Sequence, residues 1–361
     1  MGRAARFYRV WIELALCLAV FTGVVRWWFV PGWVARHYAD PFPLLGDHSG
    51  GRTLGPFFDL LPWRVSHEGP LVFLIGDSSI GGSYPTRAFL AYKLQAELEH
   101  VLPGRHVQVV DCSMVGVYAQ DALVLAGKAF GFDPDLVVYA VSPRILPLAP
   151  STRFATGVSD LALDPDVVSH IGLGTALRLV GFEDLGRTLV YSWWGPARLR
   201  VPLAQALIET LKVPSPRASA VLQRLVAAPT PHPPTPRPGT WLWPRDEYSV
   251  DVPSRSRDAF DALVDLCGRE GRCLLYHVPV NPAAVGGFEP GLDDEFVEYV
   301  RRRTTAARVP FDDQRQFGKA EHYKLNLALR PDAIHPVEAG YDAFAPVLAG
   351  IVARRLDELR R

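Results

Sequence analysis

The sequence predicts a doubly wound α/β fold, with a mostly parallel sheet covered by helices on both faces, an N-terminal transmembrane helix and an internal insertion. Short runs that are apolar throughout recur along the chain, and segments with apolar residues at helical spacing follow them. A longer apolar segment lies near the N-terminus. Continuous apolar runs are typical of strands buried on both faces, and strands that alternate with helices predict right-handed βαβ units.

The composition limits the possible functions. The chain has 361 residues, 48% of them hydrophobic, which is enough for one large α/β domain with an insertion or for two smaller domains. The 38 Lys and Arg residues are balanced by 38 Asp and Glu, so we expect no nucleic-acid partner and a neutral or small substrate. The cysteines lack CxxC spacing and the histidines lack HxH and HExxH spacing. We therefore expect no metal and no other cofactor.

Residues 1–33 predict a cytoplasmic tip followed by a signal-anchor transmembrane helix. The apolar segment from Tyr8 to Val30 has about the 20 residues needed to cross a bilayer. Tryptophans at its end resemble an aromatic belt, which favours a retained anchor over a cleaved signal peptide or an amphipathic helix in the membrane plane. Arginines precede the segment, so the N-terminus is expected in the cytoplasm and the main domain outside it, in the periplasm or at the cell surface.

The rest of the chain divides into four parts. Residues 34–70 are rich in Pro, Gly, Asp and His without a sustained period, and we interpret them as a stalk rather than a regular element. Residues 71–145 and 255–361 are predicted to form the two parts of the α/β domain. Between them, residues 146–254 predict an insertion with helical patches and a Pro-rich tract, which cannot be a helix or a central strand.

The individual elements follow from the apolar patterns. In the first part, strands are predicted at 71–75, 106–110 and 136–141, and helices at about 85–101 and 119–130. In the insertion, helical patches are predicted at 203–213 and 219–228, before the Pro-rich tract 229–244. In the second part, helices are predicted at 257–269, 293–306 and about 336–359, with a strand at 273–278.

Two short motifs contain the residue types of a serine nucleophile and its base. Gly76-Asp77-Ser78-Ser79 follows the first predicted strand, at the carboxyl edge where open α/β sheets gather their ligands. Asp332-Ala-Ile-His335 precedes the final predicted helix. An imidazole that accepts the serine proton activates the hydroxyl, and a carboxylate fixes the imidazole tautomer. We therefore predict Ser78 as nucleophile, His335 as base and Asp332 as orienting acid; the alternative is a turn in which Asp77 and Ser79 only cap a helix.

With these motifs the chain resembles the SGNH (GDSL-type) hydrolases, over about 71–144 and 257–359. The resemblance implies an SGNH/flavodoxin-like sheet and an oxyanion hole made by the backbone amide of Ser78, by Gly116 and by an asparagine after the third strand. Here that asparagine is replaced by Ser142, which donates a single, weaker hydrogen bond. Loss of one oxyanion donor lowers the rate by roughly a hundredfold or more. The departure points to a membrane-anchored subgroup similar to envelope polysaccharide acetylation proteins.

Four other polar residues are candidates for substrate binding: Asp77, Arg144, His277 and Asn281. Arg144 follows the third strand and could compensate for the missing asparagine, or could be a solvated charge or a partner for a core carboxylate. His277 and Asn281 follow a later strand at the same edge, although a buried histidine is more often a core residue.

Tryptophans and cysteines leave two further questions open. Four tryptophans of the insertion could stack on sugar rings or cover an edge of the core: Trp193, Trp194, Trp241 and Trp243. Cys267 and Cys273 flank a short turn and could form a disulfide in an oxidising compartment.

The function that these patterns predict is a serine-dependent O-acyltransferase or esterase, acting through an acyl-enzyme on a cell-envelope or exported glycan. The expected partners are a carbohydrate polymer or other acyl acceptor, a multi-pass membrane acyltransferase, and the lipid bilayer through the N-terminal helix. The alternative is a catalytically weak glycan-binding or assembly subunit of the same fold. A phosphate site at residues 76–79 is disfavoured because the GxxxxGK[ST] pattern is missing.

Overall fold

The computed structural model describes residues 3–30, 32, 54–66, 68–81, 89–114, 116–148, 154, 157–194, 243–284, 288–325 and 331–361. Several predicted features lie outside these residues. They are the helical patches at 203–213 and 219–228, nearly all of the Pro-rich tract, residues 85–88 of the predicted helix 85–101, residues 34–53 of the predicted stalk, and Trp241.

The described elements are numbered in chain order. The helices are α1 (Arg3–Val24), α2 (Leu54–Leu60), α3 (Leu90–Val101), α4 (Ala119–Phe130), α5 (Pro165–Ile171), α6 (Leu173–Val180), α7 (Leu185–Trp193), α8 (Arg255–Glu270), α9 (Leu292–Ala307) and α10 (Glu338–Arg360). The strands are β1 (Leu71–Gly76), β2 (Gln108–Ser113), β3 (Leu136–Val141), β4 (Cys273–His277), β5 (Phe311–Asp313), β6 (Tyr323–Leu325) and β7 (Pro331–Pro336).

The first five strands form one parallel sheet in the order β2-β1-β3-β4-β5. One face of the sheet packs against α4 and α8, and the other face packs against α3 and α10. The prediction of a doubly wound parallel sheet is therefore confirmed. From β1, the chain adds β2 on one side of the sheet and then β3 on the other side, while all five strands stay parallel. The carboxyl ends of β1 and β3 therefore border the crevice where such sheets bind ligands.

The central strands β1 and β3 match the prediction because all their residues are buried. Every side chain of β1 and β3 lies in the interior, where only apolar residues avoid an unfavourable loss of hydration. The second strand was misplaced by two residues: β2 begins at Gln108, because His106 has a positive φ of 48° that interrupts an extended strand.

Three short strands were missed. β5 has only three residues, two of them aspartates, and therefore lacks an apolar run. β6 and β7 pair with each other in a separate antiparallel sheet. β7 begins and ends with proline, which the edge of a two-stranded sheet tolerates, so the final helix begins at Glu338 rather than near Pro336.

The described residues just before β1 pack onto the domain, as predicted for the stalk, but they also form regular elements, which the prediction excluded. Helix α2 and the 3₁₀ turn Leu61–Trp63 lie in this region, and Phe57, Phe58 and Leu61 are buried in the main hydrophobic core. Proline and glycine at the start of α2 hide this helix in the sequence, although proline is well tolerated in a first turn.

The insertion contributes to the same core as the sheet. α5 packs on α4, whose twelve residues are all buried, and Val158, Leu161 and Val167 join the core cluster on that face. The buried ammonium of Lys128 on α4 contacts the carboxylates of Asp164 and Asp166 at 2.9 and 2.6 Å. The first half of the insertion is thus an additional layer on the α/β domain.

A disulfide joins Cys267, near the end of α8, to Cys273, at the start of β4. It closes the short turn between the helix and the strand that the sequence analysis identified.

The N-terminal helix continues beyond α1 as a π-helical turn, Val25–Phe29. Within the described part of the chain, Tyr8–Phe29 is the one helix that is long and apolar enough to cross a membrane. Its side chains are nearly all exposed, in contrast to those of a core helix.

Candidate active site

Three side chains from the two ends of the chain form a continuous hydrogen-bonded series. The Ser78 Oγ lies 2.8 Å from His335 Nε2, and His335 Nδ1 lies 2.9 Å from Asp332 Oδ1. Because a carboxylate can only accept, Nδ1 carries the proton that it donates to Asp332, and Nε2 is left to accept from the serine hydroxyl. The structure therefore brings together the three residues predicted as nucleophile, base and orienting acid.

The turn after β1 presents Ser78 at the carboxyl edge of the sheet. The backbone amides of Ile80 and Gly81 donate to the Asp77 carbonyl, and the Ser79 amide donates to Asp77 Oδ1 at 2.8 Å. Gly76 allows the turn to close, because a Cβ there would lie only 2.4 Å from the Ile80 side chain. Asp77 therefore stabilises this turn rather than capping the following helix, which begins only at Leu90, and the Ser78 hydroxyl reaches His335.

The backbone of β7 fixes the orientation of Asp332. Its Oδ1 accepts hydrogen bonds from the backbone amides of Ile334 (3.0 Å) and His335 (2.9 Å). Burial alone would raise the pKa of the Asp332 carboxyl, but the hydrogen bond and charge of His335 and the two amides lower it below its usual value. Asp332 is consequently a carboxylate near neutral pH and can stabilise an imidazolium at His335.

Asn281 supports β7 from the loop that follows β4. Its side-chain amide donates to the Asp332 carbonyl at 2.8 Å, its backbone amide donates to the Ala333 carbonyl at 2.9 Å, and its Oδ1 accepts from the Ala283 amide. Asn281 is buried. The structure thus places this predicted substrate-binding residue behind Asp332, where its hydrogen bonds position the acid.

Arg144 contacts Ser78, the predicted nucleophile, directly. It lies in the 3₁₀ turn Pro143–Ile145 after β3, the strand that neighbours β1. Its Nη1 donates to Ser78 Oγ at 3.0 Å and lies 3.6 Å from Asp77 Oδ2. The serine oxygen therefore accepts from a cationic donor while its own hydrogen points to His335.

Ser142 and Gly116 lie at the ends of β3 and β2. Ser142 is buried, and its hydroxyl has no hydrogen-bond partner among the described residues. Gly116 has a φ of +77°, a conformation that favours glycine and fixes the path of the loop after β2. Their placement at the carboxyl edge agrees with the predicted one, and their role as oxyanion donors stays a prediction.

His277 lies in the core rather than beside Ser78. Its ring is fully buried, Nδ1 donates to the Val278 carbonyl at 2.8 Å, and Nε2 lies 2.9 Å from Asp293 Oδ1 on α9. Its ring also meets that of Phe296 edge-on. These contacts indicate a role in joining β4 to α9, as the core interpretation proposed.

Tyr341 is a supporting residue that the sequence analysis missed. Its hydroxyl, on the first turn of α10, donates to the Ser79 carbonyl at 3.1 Å and so ties the final helix to the nucleophile turn. In the sequence, the signal for this contact is a polar aromatic residue shortly after the Asp-x-x-His motif.

The tryptophans of the insertion divide into two groups. Trp243 is buried and packs on Phe288 with ring centroids 4.7 Å apart. Trp193 and Trp194, at the end of α7, are exposed. Among the described residues, no group of three or more His, Cys, Asp or Glu side chains is arranged to hold a metal ion.

At the level of sequence, no protein-family profile and no curated protein matches the chain. Solved structures align with most of it at low similarity. The lipase/acylhydrolase from Enterococcus faecalis covers 79% of this chain and 96% of its own, with 12% identity and a TM-score of 0.40. LAE5, an alpha/beta hydrolase enzyme from the metagenome of Lake Arreo, Spain, covers 79% and 96%, with 13% identity and a TM-score of 0.38. An extracellular lipase from Streptomyces rimosus covers 78% and 99%, with 13% identity and a TM-score of 0.34.

Proposed function

We propose that this chain is a serine hydrolase or acyltransferase of the SGNH type, which forms an acyl-enzyme on Ser78. The observation that carries the proposal is the hydrogen-bonded series from Ser78 through His335 to Asp332. Its position at the carboxyl ends of β1 and β3 adds support, because open α/β sheets bind ligands there.

The geometry supports acyl transfer in two steps. In the first, Ser78 Oγ attacks the carbonyl carbon of an ester while His335 Nε2 takes the hydroxyl proton, and Asp332 stabilises the resulting imidazolium. The imidazolium then protonates the departing alkoxide, leaving the acyl group on Ser78. In the second step, His335 removes a proton from water or a sugar hydroxyl as its oxygen attacks the acyl carbonyl, and the imidazolium then gives that proton to the departing Ser78 Oγ.

Arg144 supplies a positive charge where negative charge develops. As the carbonyl oxygen becomes an oxyanion, a preorganised donor beside it stabilises the transition state. We propose that Arg144 takes over much of this stabilisation in place of the asparagine that Ser142 replaces, together with the amides of Ser78 and Gly116. The 3.0 Å contact between Arg144 and Ser78 supports this assignment.

The substrate that we propose is an O-acylated cell-envelope or exported glycan. The proposal rests on the N-terminal helix, which would hold the domain at a membrane surface, and on the resemblance to envelope polysaccharide acetylation proteins. Transfer to a glycan would need an acyl donor, for which a multi-pass membrane acyltransferase is the proposed partner.

Labelling with a fluorophosphonate probe tests the proposed nucleophile. The probe should modify the full-length protein in detergent at Ser78, and Ser78→Ala should abolish labelling with the melting temperature nearly unchanged. Ser79→Ala is the matched control, because Ser79 is also buried in the same turn but does not contact His335. Labelling that persists in Ser78→Ala, or that disappears in a folded Ser79→Ala, would contradict the assignment.

A non-catalytic glycan-binding or assembly subunit is the second candidate. The observation that favours it is the serine at position 142, where the resemblance implies an asparagine. This candidate requires that the folded wild type neither turns over an ester nor forms a trapped acyl-enzyme, whereas the enzymatic proposal requires at least one of the two.

A further inference from the structure

Helices α6 and α7 expose an apolar face to the outside of the molecule. Phe182, in the turn between them, is 94% exposed, and Trp193 is 66% exposed. The face also includes Leu173, Leu177, Leu189, Val190 and Trp194. Contiguous apolar surface of this kind marks a site of contact with a membrane or another protein.

The pattern of α7 is inverted relative to a helix of a water-soluble protein. Its fully buried residues are Thr188 and Ser192, which are small and polar, and Leu185 is only partly buried against the core, whereas Leu189, Val190 and Trp193 are exposed. A helix at the surface of a soluble domain normally turns its apolar stripe inward. The outward position of the apolar residues is therefore a feature that water alone does not explain.

Hydrogen bonds fix this orientation. The Ser192 hydroxyl donates to the Asp160 carbonyl at 2.9 Å and accepts from the Leu163 amide at 3.2 Å. Both contacts are buried, and the loss of such a bond leaves a polar group unsatisfied at a cost of about 1–3 kcal/mol. Rotation of α7 to hide its apolar face would break both bonds, so the face stays exposed.

The apolar face lies next to the apolar N-terminal helix. The Trp194 indole Nε1 donates to the Thr22 hydroxyl at 3.3 Å, and Thr22 lies within the segment Tyr8–Phe29. Thr22 is seven residues before Phe29, about 10 Å along a helix with a rise of 1.5 Å per residue. If Tyr8–Phe29 spans the bilayer, Trp194 is held at a depth within its outer leaflet.

The residues around this face suit a membrane interface. Interfacial helices bury their apolar face about 5–10 Å into the boundary of headgroups and acyl chains, and arginine side chains reach from that boundary to the phosphates. Arg178 and Arg26 are exposed on α6 and near the same end of the membrane helix, and Arg187 on α7 is exposed although it lies 3.6 Å from Asp160. Glu183, in the turn between α6 and α7, is an exposed acidic residue beside them.

We propose that α6 and α7 form a second membrane-contacting element. The side chains inserted into the outer leaflet, where the chain leaves the bilayer after the N-terminal helix, are those of Leu189, Val190, Trp193 and Trp194. This inference rests on the proposed membrane anchor but is independent of the chemistry at Ser78. Two attachment points, a spanning helix and an interfacial helix pair, hold the catalytic domain in one orientation against the bilayer surface rather than on a free tether.

Spin labels on the full-length chain test the proposal. In a Cys17→Ser background, Leu189→Cys is labelled with a nitroxide, and the protein is reconstituted into vesicles of phosphatidylcholine and phosphatidylglycerol. Collision rates are measured with oxygen, which partitions into lipid, and with a nickel chelate, which stays in water. Arg354→Cys, on the exposed side of α10, is the matched control. The oxygen-to-nickel ratio should be at least about tenfold higher at 189 than at 354, because apolar surroundings exclude the charged chelate.

A label on the native Cys17, which is exposed on α1, separates failure of the anchor from failure of the inference. Lipid contact at both 17 and 189 supports the proposal. Lipid contact at 17 with free access of nickel at 189 overturns it, and so does exclusion of both reagents at 189, which would show that protein covers the face. Water exposure at 17 would overturn the anchor and the inference together. Circular dichroism confirms that each variant is folded.

Discussion

The Ser78 hydroxyl has two polar neighbours, and they act on different parts of it. His335 accepts its hydrogen, whereas Arg144 donates to a lone pair of its oxygen. A hydroxyl has one hydrogen and two lone pairs, so both contacts form together. In the proposed mechanism His335 removes the proton as the serine oxygen bonds to the substrate carbon, and the guanidinium is left beside the place where the carbonyl oxyanion forms.

Substitution of Arg144 should affect the chemical step more than substrate binding. If the guanidinium stabilises the oxyanion, Arg144→Ala should lower kcat by about ten- to a hundredfold with little change in KM. Arg144→Lys should recover part of the loss, because it keeps the charge without the planar donor geometry. Steady-state kinetics on an ester that the wild type hydrolyses would measure both constants. A raised KM with an unchanged kcat would assign Arg144 to ground-state binding instead.

Ser142 allows a second prediction at the same scale. Its buried hydroxyl is unpartnered in the described part of the site, as expected of a donor held for a ligand. Ser142→Ala should lower kcat by roughly ten- to a thousandfold while KM barely moves, and Ser142→Asn should be tolerated or faster. The same ester assay serves as the measurement. An unchanged kcat in Ser142→Ala would leave Arg144 as the principal side-chain donor.

Among the elements, β2 contains a buried ionisable group near the site. Asp111 lies close to the carboxyl end of this strand, and its Oδ1 accepts from the Ser113 amide at 2.8 Å. Burial raises the pKa of Asp111 to about 6, although its hydrogen bonds to Ser113 oppose the change. The folded protein therefore binds a proton at this position more tightly than the unfolded chain.

The pH dependence of stability should reveal this group. Below the unfolded pKa, near 3.8, Asp111 is protonated in both states; as the pH rises to about 6, only the folded state retains the proton. Stability should therefore fall over this interval by about 3 kcal/mol and then level off. Asp111→Asn, which can still accept from Ser113, should remove the decrease and be the more stable protein at pH 7.5. Thermal melts of both proteins from pH 4 to 7.5 would show this, and parallel curves would contradict it.

The elements that the sequence predicted are those with a strong local signal. β1 and β3 are apolar throughout, and α4 and α8 have helical spacing, so burial against the sheet determines both pattern and structure. β5 contains two aspartates, and β7 contains proline together with Asp332 and His335. The position at a sheet edge and the candidate site, rather than burial, determine these residue types. Pairing across the chain, rather than local propensity, creates these strands.

The same distinction applies to the site. The motifs identified Ser78, Asp332 and His335, because their residue types and their positions next to predicted elements were both visible in the sequence. The contact of Arg144 with Ser78, and the use of Asn281 to hold Asp332, depend on side-chain directions after the sheet has formed. A single sequence contains no direct record of those directions.

For the whole molecule, the proposed topology places the sheet and its site outside the cytoplasm. The segment Tyr8–Phe29 is the only described helix suited to span the bilayer, and arginines precede it. The disulfide between Cys267 and Cys273 agrees with an oxidising compartment.

Reporter fusions at the C-terminus test this topology. Alkaline phosphatase fused after Arg361 should be active, because it folds with its disulfides only outside the cytoplasm, and a reporter that requires the cytoplasm should be silent. The basic residues that retain the N-terminus inside are the physical cause. The opposite pair of results would place the domain in the cytoplasm and remove the membrane-surface glycan as substrate.

The sequence separation of 257 between Ser78 and His335 also imposes an order on biosynthesis. Under the proposed topology the N-terminus stays in the cytoplasm and the chain that follows the anchor is exported in sequence order, so Ser78 crosses early and its proposed base crosses only with β7 and α10. A nascent or truncated chain therefore contains a serine that no imidazole has activated. Because Tyr341 and Asn281 hold the two halves of the site only in the finished fold, reactivity begins when export is complete.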